Sequence, residues 1–198
     1  MVWRDRLWRW FSPLARRCPL SPNAVTLIAA GLNVVAAALL YRHYFLIAVV
    51  FLAIGGLADA FDGIVARVQD RASKYGDFLD HFADRVSDVL IATGWLLGSG
   101  VRAEITIAAV IAVLLNGYAG TQLEATWHER SYDGVGRGEF VLALVVYPIA
   151  SFILSSNGWG DVLAGGLKIA EWMALLMIAA ALLGIVQRFA VASRLERR

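Results

Sequence analysis

Cysteine is almost absent: Cys18 stands alone, so a disulfide framework and a cysteine-based metal site are both excluded. Charge is scarce as well, at 17% of residues against 59% hydrophobic, with a mean hydropathy of +0.63. A water-soluble domain of 198 residues does not carry that balance. Apolar runs of about 20 residues are what crossing a bilayer demands. Internal repeats are not visible, and low-complexity sequence is absent apart from ordinary apolar runs. Once those runs are set aside no basic surface is left, which argues against a nucleic-acid partner. What remains is one integral membrane domain.

Residues 2–17 read as an amphipathic helix lying on the membrane surface. Trp3, Leu7, Trp10, Phe11 and Leu14 recur at helical spacing, with Arg4, Arg6, Arg9, Arg16 and Arg17 among them. A signal peptide is the competing reading, but the arginines interrupt the apolar residues and no small-residue cleavage site follows. Pro19 and Pro22 break this helix, and Ser21-Pro22 supplies an N-cap and a first-turn proline for the next. Residues 1–18 are therefore assigned to a juxtamembrane helix and 19–198 to the membrane domain.

Six spans are predicted in that all-α domain, over about 22–41, 45–67, 76–99, 103–127, 139–155 and 162–189. Pro148 is expected to kink the fifth. An even number of spans puts both termini on one side. All lysines and arginines except Arg42, Arg102 and Lys168 then fall on that side, which the positive-inside rule makes cytoplasmic. Trp3, Trp8, Trp10 and Trp127 mark that interface and Trp95, Trp159 and Trp172 the other. The expected location is the plasma membrane, with the termini and the polar cluster described next facing the cytoplasm.

That cluster is Asp59-Ala-Phe-Asp62-Gly63-Ile-Val-Ala-Arg67, eight residues, then Gly76-Asp-Phe-Leu-Asp80-His-Phe-Ala-Asp84. Asp59 and Asp62 are three apart and Asp80 and Asp84 four apart, so each pair shares one helix face. Carboxylates inside apolar sequence are costly and read as functional. Two pairs facing each other offer hard oxygen ligands to one or two divalent cations. Gly63 gives a ligand access to the backbone, and Arg67 suits a phosphate or an aspartate partner. Asn23 and Thr26, one turn apart at the start of the first span, suit helix capping on local grounds. Asp88 is expected to pair with Arg85 or Arg67, and the polar half of the fourth span, with Asn116, Tyr118 and Thr121, reads as a cavity wall.

The pattern D-x2-D-G-x2-A-R-x8-G-x3-D-x3-D resembles the signature of the CDP-alcohol phosphotransferase family, and every fixed position matches. The resemblance implies an alcohol attacking the lipid-linked phosphate of a CDP-linked lipid donor, releasing CMP and forming a phosphodiester. It implies Asp59, Asp62, Asp80 and Asp84 as ligands to Mg²⁺ or Mn²⁺, two ions in all, with Asp84 also the catalytic base. It assigns Gly63, Arg67, Ser73 and Gly76 to the CDP part of the donor. Pro22-Asn23-Ala-Val-Thr26 is similar to a nucleotide-holding stretch, which moves Asn23 and Thr26 from capping to donor contact. A homodimer is implied as well.

The acceptor, a small polar alcohol, is less sharply marked. The Ser-Phe-Gly of the serine branch is missing, and the fourth span lacks the basic pattern of the phosphatidylglycerol phosphate branch. Tyr118 and Gly136-Arg137-Gly-Glu139 partly resemble the inositol-phosphate branch, including its archaeal members. Inositol phosphate is thus the expected acceptor, with glycerol 3-phosphate and serine as alternatives. Arg137 is the cation chosen for its phosphate from among Arg137, Arg130, Lys74 and Arg85. A divalent-cation transporter or channel is the competing class. It accounts for four aspartates but not for Gly63, Arg67 and Gly76 at fixed spacing.

Overall fold

The computed structural model describes residues 10–127 and 137–197, the side chains of 137–144 excepted. A short helix α1 covers 10–16. It is followed by α2 (Pro22–Tyr41), α3 (Phe45–Val68), α4 (Lys74–Gly98), α5 (Ala103–Trp127) and α6 (Arg137–Ser156). A hairpin of β1 (Leu163–Ala164) and β2 (Leu167–Lys168) then leads into α7 (Ile169–Leu195). Trp3, Trp8 and the arginines before residue 10, together with His128 and Arg130, lie outside the described residues.

Four helices, α2, α3, α5 and α7, are long and apolar enough to cross a membrane. In α4 the charges of Lys74, Asp77, Asp80, Asp84, Arg85 and Asp88 all fall in the stretch 74–88. In α6 the described apolar stretch is Val145–Ser156, with Pro148 inside the helix and fully buried.

The helix ends follow local chemistry. Ser21 Oγ accepts from the Ala24 N–H at 3.2 Å and Pro22 occupies the first turn of α2, as the Ser-Pro pair predicts. Ser73 does the same for α4, accepting from the Gly76 N–H at 3.0 Å. The predicted sixth span is corrected at its start. The hairpin occupies 163–168, with Gly165 and Gly166 at φ +61° and +80°, and the helix begins only at Ile169. Two consecutive glycines supply the left-handed conformations of the turn.

The core is built largely of alanine and glycine, as close helix approach in a membrane favours. Ala36, Ala37 and Leu40 of α2, Ala92, Trp95 and Leu96 of α4, Ala109 and Ala112 of α5, and Ala174 and Ala181 of α7 share one core, in which α2 packs on α4 and α5 on α7. Trp95 is not an interface marker. It is 1% exposed, donates to Ser151 Oγ at 2.9 Å and packs its ring on Tyr147.

Helix α2 packs along both α3 and α4, which make little contact with each other. It therefore acts as the strut between the two helices that carry the aspartate pairs. At the opposite end of the bundle, Arg102 pairs with buried Glu171 at 2.7 Å, tying the α4–α5 turn to α7, and Lys168 of β2 pairs with Asp161 just before the hairpin at 2.7 Å.

Candidate active site

The start of α2, the end of α3 and the start of α4 converge at one end of the bundle. Asp59 and Asp62 come from the last turns of α3, Asp80 and Asp84 from the first turns of α4. One ligand oxygen from each of Asp59, Asp62 and Asp80 lies within 4.8 Å of the others, and Asp80, His81 and Asp84 form a second such group. Asp80 belongs to both groups, so the four carboxylates make one continuous cluster. Asp62 and Asp84 are 6% and 5% exposed. A buried carboxylate needs a charge or hydrogen-bond partner, and several of them together call for a cation. An all-oxygen donor set of this kind fits a hard divalent ion. His81 enters the second group as the neighbour of Asp80, and its Nε2 lies 3.7 Å from Asp77 Oδ1.

Of the residues predicted around the aspartates, Thr26 touches one of them directly. The Thr26 hydroxyl is 2.6 Å from Asp62 Oδ2 and 3.1 Å from the Pro22 carbonyl oxygen; its one proton goes to the shorter, charge-assisted contact. Thr26 therefore orients a carboxylate of the cluster as well as closing the first turn of α2. Arg67 folds back along α3, its Nε donating to the Gly63 carbonyl at 2.8 Å. A Cβ on Gly63 would lie 3.4 Å from the Arg67 guanidinium. A Cβ on Gly76 would meet Asn23 Oδ1 at 3.1 Å and Ser73 Oγ at 3.2 Å. Asn23, Ser73 and Gly76 thus gather where α4 begins beside α2. Arg137 opens α6, and its side chain lies outside the described residues.

A second constellation was not predicted. Arg85 runs over Gly117 of α5 and Arg188 of α7 runs over Gly120, so closely that a Cβ on either glycine would strike a guanidinium. Arg188 Nη1 donates to Asn116 Oδ1, and Arg85 Nη1 pairs with Asp88 Oδ2 at 3.3 Å, as the sequence predicts for Asp88. Arg85 Nε is buried without a hydrogen-bond partner. Two guanidiniums thus lie on one side of α5, a donor pair of the kind that suits a phosphate. Asn116 and the two glycines are the inward wall of α5. Tyr118, expected to share it, is 58% exposed, because it points away from the Gly117–Gly120 side. The sequence signal for Arg188 was an arginine ending an apolar helix, which topology alone explains.

A model of the family described as CDP-alcohol phosphatidyltransferase matches residues 19–195. The chain is 31% identical over 128 residues to the archaetidylinositol phosphate synthase of Pyrococcus horikoshii, a match covering 64% of this chain and 68% of that protein. Its fold is similar to the phosphatidylinositol phosphate synthase of Mycobacterium tuberculosis. The structure of that protein with CDP-DAG bound aligns at a TM-score of 0.69 and 23% identity, over 92% of each chain. The structure in complex with manganese and citrate aligns at 0.68 and 23% identity, over 91% of this chain and 87% of that one.

Proposed function

The chain belongs to the CDP-alcohol phosphatidyltransferase family and is a membrane-integral transferase. From that premise we propose that it moves the phosphatidyl-type group of a CDP-linked lipid onto inositol phosphate. The observation that carries this reading is the aspartate cluster joining α3 to α4, with Thr26, Gly63, Arg67, Ser73 and Gly76 around it.

Asp59, Asp62, Asp80 and Asp84 are the residues to hold Mg²⁺ or Mn²⁺, as two ions. Such ions, when bound, neutralise the pyrophosphate and stabilise the departing phosphate. The chain's own groups do the rest. Asn23 and Thr26 at the start of α2, with Ser73 and Gly76 at the start of α4, meet the cytidine nucleotide, and Arg67 meets a donor phosphate. The acceptor hydroxyl attacks the phosphorus that carries the lipid; the new P–O bond forms as the bond to CMP breaks. Asp84 takes the hydroxyl proton as attack develops. The lipid chains remain among the exposed apolar side chains of the helices, so the reaction takes place at the edge of the bilayer.

The acceptor's own phosphate is assigned to Arg85 and Arg188, with Arg137 as a further cation. Two guanidiniums gathered on α5, at Gly117 and Gly120, favour a phosphorylated acceptor over serine or free inositol. The names of the relatives, an archaetidylinositol phosphate synthase and a phosphatidylinositol phosphate synthase, favour the same acceptor over glycerol 3-phosphate. We propose as well six spans behind a juxtamembrane helix over residues 1–18, a membrane domain over 19–198, a cytoplasmic site and termini, and a homodimer. Charge asymmetry supports the orientation.

The test is CMP release by the purified protein with one acceptor at a time: inositol 1-phosphate, glycerol 3-phosphate, serine and free inositol. Inositol 1-phosphate is expected to support turnover. Arg188→Gln should raise its KM by about 10- to 100-fold, the worth of a charge-assisted hydrogen bond, with a smaller change in kcat. Equal turnover of free inositol, or an unchanged KM in the variant, contradicts the assignment.

A further inference from the structure

The back of the site helix is covered by α1, and one side chain fastens it there. On α3, Phe61, Ile64, Val65 and Val68 form one face, and Asp59, Asp62, Gly63 and Arg67 the opposite one. The first face is where α1 lies. Ala15 is fully buried against Ile64 and Val65, with Phe11, Cys18, Phe61 and Val68 packed around them. Phe11 meets Phe61 edge-on, with 6.0 Å between ring centroids.

Gln69, the first residue after α3, donates its side-chain amide both to the last turn of α1 and to a residue just beyond it. Nε2 lies 2.8 Å from the Ala15 carbonyl oxygen and 2.9 Å from that of Cys18. The Ala15 carbonyl belongs to the last turn of α1 and also accepts from the Cys18 N–H at 3.2 Å, while the Cys18 carbonyl lies two residues beyond the helix. The backbone N–H of Gln69 bonds to the Val65 carbonyl at 3.0 Å, so this one residue closes α3 and caps α1 at once. Beyond it the chain turns tightly. Asp70 adopts φ +55°, the Arg71 N–H bonds back to the Ala66 carbonyl at 2.8 Å, and Ser73 starts α4. That turn joins the helix of Asp59 and Asp62 to the helix of Asp80 and Asp84. Direct packing between those two helices is slight, so the turn and its fastening weigh heavily on their relative placement.

We infer that Gln69 is a positioning residue that couples the docking of α1 to the assembly of the site for CDP and its divalent cation. By holding α1 against the rear of α3, it fixes the last turns of α3, where Asp62, Gly63 and Arg67 face the ligand. The inference rests on the reading of that site as the donor site. It also carries a reciprocal consequence. If a docked α1 favours ligand binding by some factor, bound ligand favours docking by the same factor.

Cys18, the chain's one cysteine, sits at the joint and reports on it. The experiment measures the rate of maleimide labelling of Cys18 in the purified full chain, without and with MnCl₂ plus CDP. Calorimetry of Mn²⁺ and CDP binding is run on the same samples. In the wild type, MnCl₂ with CDP should slow labelling several-fold. Gln69→Leu removes two neutral hydrogen bonds and should speed labelling by about tenfold or more. It should also weaken binding of Mn²⁺ and CDP and raise the KM for the donor more than it lowers kcat. Gln69→Lys, whose ammonium can donate to the same two carbonyls, should restore protection and affinity. A Gln69→Leu protein that labels at the wild-type rate, or binds Mn²⁺ and CDP with unchanged affinity, overturns the inference while leaving the donor site standing. Failure of Gln69→Lys to recover affinity overturns it as well. Absence of Mn²⁺ and CDP binding in the wild type overturns the donor site itself, and the inference with it.

Discussion

Asp84→Asn is expected to lower CMP release by at least about 10³-fold while the helix bundle stays folded. Two losses combine. The neutral amide cannot take a proton from the acceptor hydroxyl, and a positioned general base is worth roughly 10²- to 10⁴-fold. It also withdraws one anionic oxygen from the cluster of Asp80, His81 and Asp84, weakening the hold on a cation. The change is nearly isosteric, and Asp84 is only 5% exposed, so little repacking follows. Turnover assays paired with thermal unfolding separate the two questions. A folded variant keeping a tenth or more of wild-type turnover would remove Asp84 from the chemistry.

Gly98→Val is expected to leave little folded protein, and Gly94→Val the same. A Cβ at Gly98 would run into the backbone carbonyl of Leu40, and one at Gly94 into that of Ala37. Backbone cannot rotate aside as a flexible side chain does, so α2 and α4 would have to separate. Overpacking of a tight core costs about 1–3 kcal/mol and occasionally more. Here two branched methyls are forced against main chain, at the upper end of that range or beyond, so the loss is large against a typical stability of about 5–15 kcal/mol. Because α2 is the strut between the two aspartate helices, the site would be lost with it. Gly56→Ala is the matched control, since a Cβ there meets nothing within 4 Å. Its midpoint of thermal unfolding should stay close to that of the wild type. A normal midpoint for Gly98→Val would show that the helices part more easily than their contact indicates.

What the sequence disclosed, and what it hid, follows from the range of the interactions. Ser21-Pro22 and the apolar run up to Tyr41 define α2, because capping and hydropathy are written in neighbouring residues. The aspartates were legible for the same reason: steps of three and four put them on shared faces. Arg188 was not, since its partners Asn116 and Gly120 lie on another helix some 70 residues away, and no local spacing records that meeting. Gly94-Trp-Leu-Leu-Gly98 has the small-x3-small spacing of close helix packing. That spacing alone does not say which helix lies against it. The alanines of α2 name no partner by themselves; the structure supplies α4 for Ala37. Gly165-Gly166 offered a turn signal inside an apolar stretch, and hydropathy alone read through it. Trp95 shows the converse risk, where a residue type typical of interfaces sits in the core because Ser151 meets its N–H.

The measurement that bears most directly on the central claim is CMP release in liposomes containing the protein, a CDP-linked lipid and inositol 1-phosphate. Diacyl and archaeal donors would be run separately, each with MnCl₂ and again after chelation. The account predicts CMP and a new phosphodiester lipid in equal amounts with at least one donor. Both should disappear on chelation and return when manganese is restored. Equal release of CMP with and without chelation, or CMP without a lipid product, would contradict a metal-dependent transfer centred on Asp59, Asp62, Asp80 and Asp84.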